Sequence, residues 1–263
     1  MDFIEVGDLN VCYELNGEGH PLVMIRGLNE NMDWWDPELL DALAGRYRLL
    51  LFDNRGAGRT VTPEEGEITC PQMADDTAGL MDALGIERAY VMGVSMGGMI
   101  AQELALRHPE KVDKLVLCVT YPGGKNTVYA SQEVLKKMAD GSGGPEAVFE
   151  RMLSIMFSEE WIEANPGYCA DFKERYLRAL VTANNMVRQF MATARLNTYD
   201  RLPTIDSPTL VISGRDDLLI PPENSRTIAG LIPGARLVEY EGAHGVITEQ
   251  RSAFLADLLE FLG

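Results

Sequence analysis

The chain has 263 residues, 46% of them hydrophobic, which is enough to bury the core of one α/β domain. With 40 Asp and Glu residues against 23 Lys and Arg, the formal net charge is −17 at pH 7. This charge repels phosphate backbones and anionic lipid surfaces, and no Lys/Arg-rich stretch reverses it locally. We therefore expect neither a nucleic acid nor a membrane as a partner.

Eight short runs rich in Leu, Val and Ile are predicted to be strands. They occupy residues 3–6, 11–15, 22–25, 47–52, 89–92, 115–119, 209–213 and 236–241. The first two are predicted to form an opening antiparallel hairpin. The later ones alternate with amphipathic segments, which is typical of a mostly parallel sheet covered by helices on both faces. The predicted fold class is therefore α/β.

The strand pattern disappears between the sixth and seventh predicted strands. Residues 122–207 have a helical pattern rich in Met, Phe, Tyr and Trp, and a Gly-Ser-Gly-Gly-Pro run interrupts it at 141–145. Because the strand pattern resumes at Thr209, this segment is predicted to be an insertion and not a tail. We expect a helical cap at 122–207 on a core formed by residues 1–121 and 208–263.

The strongest chemical signal is the segment 93–97, which is Gly-Val-Ser-Met-Gly. It follows the strand predicted at 89–92 and precedes a good helix, so Ser95 is predicted to lie on a sharp strand-to-helix turn. The glycines on either side allow the strand and the helix to approach closely. Such a turn presents the hydroxyl of Ser95 as a nucleophile, whereas the alternative is a helix-capping serine without catalytic function.

Three histidines are candidates for the base that would activate Ser95. His20 lies in a turn before the third strand, and His108 ends the helix after Ser95, where an imidazolium favours the helix C-terminus. His244 follows the last predicted strand. Loops at the carboxyl ends of parallel strands gather in one crevice, so His244 is the residue expected to reach Ser95.

The acid that would orient this histidine is predicted in the loop after the strand at 209–213. Asp216 and Asp217 both lie there, and the physics of the sequence does not choose between them. The chain order is serine, aspartate, histidine, which is the order expected for this kind of fold.

Taken together, these motifs resemble the α/β-hydrolase superfamily, and within it the capped esterases, enol-lactonases and cofactor-free perhydrolases. The resemblance covers nearly the whole chain and is most specific at 52–59, at 93–102 and at 214–217. In similar proteins the acid stands three residues after the glycine found here at 214, which implies that Asp217 is the acid.

The resemblance also implies an oxyanion hole made by the backbone N–H groups of Met96 and Leu28. The family has a His-Gly pair before the second donor, and this chain has Arg26-Gly27. Arg26 is expected either to brace the loop by donating to backbone carbonyls or to face the pocket. In the pocket it would suit an acidic substrate group, since a guanidinium binds a carboxylate in bidentate fashion.

The expected function is that of a carboxylesterase that cleaves small to medium esters through an acyl-enzyme. The alternatives are a lactonase of the enol-lactone or acyl-homoserine-lactone type, a carbon–carbon-bond hydrolase, a perhydrolase, or a non-catalytic ligand receptor on the same fold. A small ester or lactone is the expected partner, no cofactor or metal is expected, and a homo-oligomer is compatible with the sequence.

Compartment and redox state are predicted from the N-terminus and the cysteines. The first residues contain neither a basic region nor an apolar run typical of a secretion signal, so a cytoplasmic protein is expected. The four cysteines are widely scattered and are predicted to be reduced: Cys12, Cys70, Cys118 and Cys169.

Overall fold

A computed structural model describes residues 1–263, and its centre is one eight-stranded sheet. The strands are β1 (Asp2–Val6), β2 (Leu9–Asn16), β3 (His20–Ile25), β4 (Tyr47–Phe52), β5 (Ala89–Val94), β6 (Val112–Cys118), β7 (Thr209–Gly214) and β8 (Arg236–Tyr240). Their order in the sheet is β1-β2-β4-β3-β5-β6-β7-β8. The pairs β1–β2 and β2–β4 are antiparallel and the others are parallel, so the predicted α/β class and opening hairpin are confirmed.

Eleven α-helices accompany the sheet. They are α1 (Pro37–Ala44), α2 (Cys70–Ala83), α3 (Met96–Arg107), α4 (Gln132–Ala139), α5 (Gly144–Met156), α6 (Glu159–Ala164), α7 (Pro166–Leu177), α8 (Ala183–Ala194), α9 (Glu223–Leu231), α10 (Val246–Glu249) and α11 (Arg251–Leu262). None of them combines the length and the apolar character that crossing a bilayer requires.

The core has two parts, one on each face of the sheet, because successive side chains of a strand point to opposite faces. In β3, Val23 and Ile25 belong to a cluster of 34 buried residues that also includes side chains of α2, α3 and α9. Leu22 and Met24 belong to a second cluster of 22 buried residues, which α1 and α11 cover. Helices on both faces were predicted, and this arrangement confirms them.

Strand β6 begins three residues before the predicted strand at 115–119. Its first residues include Asp113 and Lys114, which are polar and half-buried, so an apolar run does not mark them. At the other end, Val119 leaves the strand with φ of 44°, a value rare for a β-branched residue. The backbone therefore turns sharply beside the serine loop.

Helices α4 to α8 all lie between β6 and β7, in the segment predicted to be a cap. An aromatic cluster forms the interior of this segment and includes Phe149, Phe157 and Phe172. Phe190, by contrast, is exposed, because it lies on the outer side of α8. The division of the chain into a core and a cap domain stays a prediction.

Candidate active site

Ser95 lies between β5 and α3 in a conformation that few side chains adopt. Its φ is 57° and its ψ is −120°. The neighbouring glycines make this turn possible: a Cβ on Gly97 would lie 2.1 Å from the carbonyl oxygen of Ile25, and one on Gly93 would lie 2.2 Å from that of Gly97. The predicted strand, sharp turn and helix around Ser95 are therefore present.

Two hydrogen bonds from β6 and its loop fix the backbone of Ser95. The N–H of Ser95 donates to the carbonyl of Cys118 (2.9 Å), and the hydroxyl of Thr120 donates to the carbonyl of Ser95 (2.8 Å). Gly98 is needed here as well, since a Cβ would lie 2.6 Å from that of Thr120. The strain at Ser95 is thus held by the surrounding structure.

The loops after β7 and β8 bring Asp217 and His244 together. The Nδ1 atom of His244 lies 2.7 Å from Oδ2 of Asp217, and both residues are only 2% exposed. The second carboxylate oxygen, Oδ1, accepts from the N–H groups of Leu219 (2.9 Å) and Ile220 (2.8 Å). Asp216 is exposed and forms no hydrogen bond with His244, so the geometry distinguishes the two acids where the sequence alone did not.

Burial alone would lower the pKa of His244, because it disfavours the charged imidazolium. The charge of Asp217 and its hydrogen bond act in the opposite direction and prevail, so the pKa is raised above the ordinary value of histidine. Glu30 raises this pKa as well, and Arg26 lowers it. The imidazole therefore sits in a field that favours its protonated form.

The loop that carries His244 is tied to the helical segment between β6 and β7. The N–H of Gly245 donates to the carbonyl of Met156 (2.5 Å) at the end of α5. The carboxylate of Glu249 accepts from the N–H of Ala243 (2.7 Å) through one oxygen and from the N–H of Ser158 (2.7 Å) through the other. One side chain thus joins the histidine loop to the α5–α6 turn.

The loop after β3 lies directly against the serine. A Cβ on Gly27 would lie 3.1 Å from the Cβ of Ser95. The N–H of Leu28 donates to no protein acceptor, and Met96 is the first residue of α3, where N–H groups have no partner within the helix. Neither N–H group therefore has an acceptor within the protein.

Arg26 neither donates to backbone carbonyls nor stands free in a pocket. Its Nη2 lies 2.6 Å from Oε2 of Glu30, and its guanidinium lies over the ring of Trp35 at 4.5 Å. It also borders a small cavity beside His244. The donation to backbone carbonyls expected as one alternative is therefore absent, whereas the contact with the cavity expected as the other is present.

That cavity is mostly apolar and aromatic. Its walls are formed by Arg26, Trp34, Val94, Met156, Phe157, Tyr168, Phe172, His244, Gly245, Ile247 and Thr248. Four of these residues belong to α5, α7 or the turn after α5, and two, Arg26 and Trp34, belong to the β3–α1 loop, so the helical segment and this loop enclose the space. An uncharged acyl group suits such walls better than an ion does.

The other two histidines lie elsewhere. His20 stands at the amino end of β3, with Nε2 3.1 Å from Asp113, and the site lies at the carboxyl ends of the strands. His108 follows the last residue of α3, where its Nε2 lies 2.7 Å from Asp75. No group of three or more His, Cys, Asp or Glu side chains is arranged to hold a metal ion.

Sequence reasoning did not find Glu30 or Glu249. The opposite charge of Glu30, four residues after Arg26, was a signal that could have suggested the pair. Glu249 had no such signal, since its position just before the final helix is typical of a surface carboxylate. Its partners, Ala243 and Ser158, are brought to it only by the tertiary fold.

Comparison with known proteins identifies the family of the fold. The family model for the alpha/beta hydrolase fold matches residues 20–249. A protein of Azorhizobium caulinodans named "Putative carbamate hydrolase RutD" is 30% identical over 264 residues, which cover 100% of this chain and 98% of that protein. Among solved structures, the enol-lactonase from Burkholderia xenovorans LB400 has a TM-score of 0.87 at 28% identity, with 99% of each chain covered.

A third relative is an esterase from Exiguobacterium antarcticum, with a TM-score of 0.84 at 25% identity and 98% of each chain covered. All three similarities extend over nearly the full length of both proteins. The matches therefore include the serine turn, both loops of the His244–Asp217 pair and the helices between β6 and β7. By fold and by family model, the chain belongs to the α/β-hydrolase family and is a hydrolase.

Proposed function

We propose that this hydrolase cleaves carboxylic esters, including cyclic ones, through an acyl-enzyme formed on Ser95. The observations that carry the proposal are the buried contact between Nδ1 of His244 and Oδ2 of Asp217, 2.7 Å long, and the strained turn of Ser95. Val94, the residue before Ser95, lines the same cavity as His244. A buried histidine with an aspartate on Nδ1 has its Nε2 available to take a proton. No other histidine of the chain has this environment.

In the first half of the reaction, Oγ of Ser95 attacks the ester carbonyl while Nε2 of His244 takes the hydroxyl proton. The carbonyl oxygen becomes negatively charged, and the N–H groups of Leu28 and Met96 donate to it. Collapse of this intermediate breaks the bond to the alcohol oxygen, which leaves with the proton from His244. Asp217 keeps the imidazole oriented and stabilises its charged form.

In the second half, water replaces the alcohol. His244 takes a proton from the water, the hydroxide attacks the acyl-enzyme, and the same two N–H groups hold the new oxyanion. When the intermediate collapses, Ser95 leaves with the proton from His244 and the carboxylic acid is released. A lactone follows the same course, except that the alcohol remains attached to the product.

The test compares release of p-nitrophenol from short and medium acyl esters by the wild type and by Ser95→Ala. Turnover should vanish with the hydroxyl, and the fold should be retained because a single small hydroxyl adds little to packing. Ser252→Ala is the matched control, since Ser252 is exposed on α11. Turnover that survives Ser95→Ala, or ligand binding by the wild type without any turnover, would contradict the proposal.

Carbamates are a second candidate substrate class. The observation that favours them is the name of the relative from Azorhizobium caulinodans, whose similarity covers the whole chain. A carbamate carbonyl is open to the same attack by Ser95, and it gives a carbamoyl-enzyme that water hydrolyses. A panel with one p-nitrophenyl ester, one γ-lactone and one carbamate, ranked by kcat/KM, separates these substrates. The highest kcat/KM with the carbamate would make carbamates, and not esters, the proposed substrate class.

A further inference from the structure

Arg26 and Glu30 form a buried ion pair beside the proposed nucleophile and base. The Nη2 of Arg26 lies 2.6 Å from Oε2 of Glu30, and each side chain is only 5% exposed. Buried charges are paired because an isolated one is strongly destabilised. The two residues therefore have to be understood together.

Glu30 also shapes the loop that carries Leu28. Its Oε2 accepts from the N–H of Gly27 (2.9 Å), and its own N–H donates to the carbonyl of Gly27 (3.3 Å). These two bonds close a tight turn around Leu28. The turn lies close to the serine, since a Cβ added to Gly27 would lie 3.1 Å from the Cβ of Ser95.

A carboxylate in this place creates an electrostatic problem. An unpaired negative charge would repel an oxyanion at the Leu28 N–H, and it would stabilise the protonated form of His244. The charged and titratable groups packed around His244 are Asp217, Arg26, Glu30, Tyr168 and Glu249. Among them Arg26 is the only cation, and it pairs with Glu30.

We propose that Glu30 is the positioning residue of the oxyanion loop and that Arg26 neutralises it, so that the pair holds the Leu28 donor without imposing a net charge on Ser95 and His244. This inference rests on the proposed function. The pair gives a reason why an arginine precedes Gly27: the charge of the guanidinium is balanced by Glu30 and the group lies over the face of Trp35, although its Nε has no hydrogen-bond partner. Substrates are thus expected to be uncharged near the reacting carbonyl.

The test is a set of three variants: Glu30→Gln, Arg26→Gln and the double variant. In Glu30→Gln, the amide oxygen of the new side chain can still accept from the N–H of Gly27, but the positive charge of Arg26 loses its ion-pair partner. The acid limb of the kcat/KM profile, which reports the pKa of the base in the free enzyme, should move to lower pH. In Arg26→Gln the negative charge is left alone, so the limb should move to higher pH and kcat should fall.

Each shift should be about 1 pH unit, the lower end of what a nearby charge produces. The double variant should return the limb close to its wild-type position, because both charges are gone. A merely structural role would lower activity in all three variants without opposite shifts. Arg226→Gln and Glu239→Gln, which break a surface pair of the same residue types, should leave the limb unchanged.

Shifts of the same sign in both single variants, or none, would overturn the proposal. The proposal would also be overturned if Arg26→Gln lost activity only toward esters that carry a carboxylate. That result would mean that Arg26 binds substrate anions. An NMR titration of the His244 imidazole in the same proteins gives the shifts without turnover. If the wild type hydrolyses nothing while the imidazole shifts oppositely, the proposed function fails and the charge balance stands. Normal hydrolysis with no shifts would mean that the proposed function stands and the charge balance fails.

Discussion

Asp216 and Asp217 are neighbours in sequence with opposite environments. Asp217 is buried, and its two oxygens accept from two backbone N–H groups and lie against His244, whereas Asp216 is exposed. The bonds on Oδ1 fix the carboxylate so that Oδ2 faces the imidazole. The function of an acid here depends on where its side chain points and not on its type.

Asp217→Asn should reduce kcat on esters by about 10⁴-fold, because an amide in this position favours the wrong tautomer of His244. Asp216→Asn should leave kcat close to that of the wild type. Steady-state kinetics of both variants with one p-nitrophenyl ester measure the difference. If Asp216→Asn were the more damaging change, the acid would have to be reassigned.

The pH dependence of the wild type follows from the raised pKa of His244. The base acts only when its imidazole is neutral, so kcat/KM should fall as the pH drops through that pKa. Because Asp217 raises the pKa, the acid limb should lie above the ordinary value of histidine. A profile of kcat/KM across roughly pH 5 to 9 locates it, and a limb at or below the ordinary value would contradict the effect of Asp217.

Much of the site could be predicted because its residues follow strand ends. Ser95 and His244 were found from their loops, since parallel strands bring their carboxyl ends together. Asp217 was preferred to Asp216 only through the resemblance, because side-chain direction in a loop is set by tertiary contacts. Glu249 was missed because nothing local indicates its tertiary partners, whereas the opposite charges of Arg26 and Glu30 at a spacing of four residues were a local signal.

At the scale of elements, the site depends on how closely α3 approaches the end of β3. The glycine at position 97 permits this contact, since a Cβ there would meet the Ile25 carbonyl at 2.1 Å. If the N–H groups of Met96 and Leu28 are the oxyanion donors, the same approach sets the distance between them. The strands were predicted well from their apolar runs, but separate helices within 122–207 were not, because the Gly-Ser-Gly-Gly-Pro run at 141–145 was the only break recognised in that segment.

Gly97→Ala should destabilise the protein by about 1–3 kcal/mol, because the added methyl group has to push backbone away from backbone. Ester turnover should fall further than stability alone explains, as the two donors move apart. Gly230→Ala in α9 is the matched control: a Cβ there meets nothing within 4 Å, so it should be neutral or slightly stabilising. Urea unfolding measures the change in stability, and kcat measures the change in turnover. Equal stability and equal kcat of the two variants would contradict the close approach of α3 to the end of β3.

At the scale of the whole molecule, the net charge of −17 acts against the compact state through self-repulsion. Exposed ion pairs such as Arg215–Glu241 and Arg107–Asp75 offset little of it, because surface pairs contribute only about 0–1 kcal/mol each. With 23 basic residues against 40 acidic ones, ion pairing leaves a large excess of unpaired carboxylates.

Adding sodium chloride from about 0.01 to 0.1 M should therefore raise Tm, since it shortens the screening length from about 30 to about 10 Å. Each kcal/mol gained corresponds to a rise of about 2–4 °C for a protein of this size. Thermal unfolding followed by circular dichroism measures the change. A Tm that falls with added salt would mean that attraction between paired charges outweighs the repulsion.

Two contacts join the loop that carries His244 to the α5–α6 turn, so the position of the loop depends on the position of that turn. Glu249 holds Ala243 on one side and Ser158 on the other, and Gly245 is bonded directly to Met156. A displacement of that turn must either break these bonds or pull the loop with it. A displacement of the α5–α6 turn would therefore also disturb the loop that supports His244.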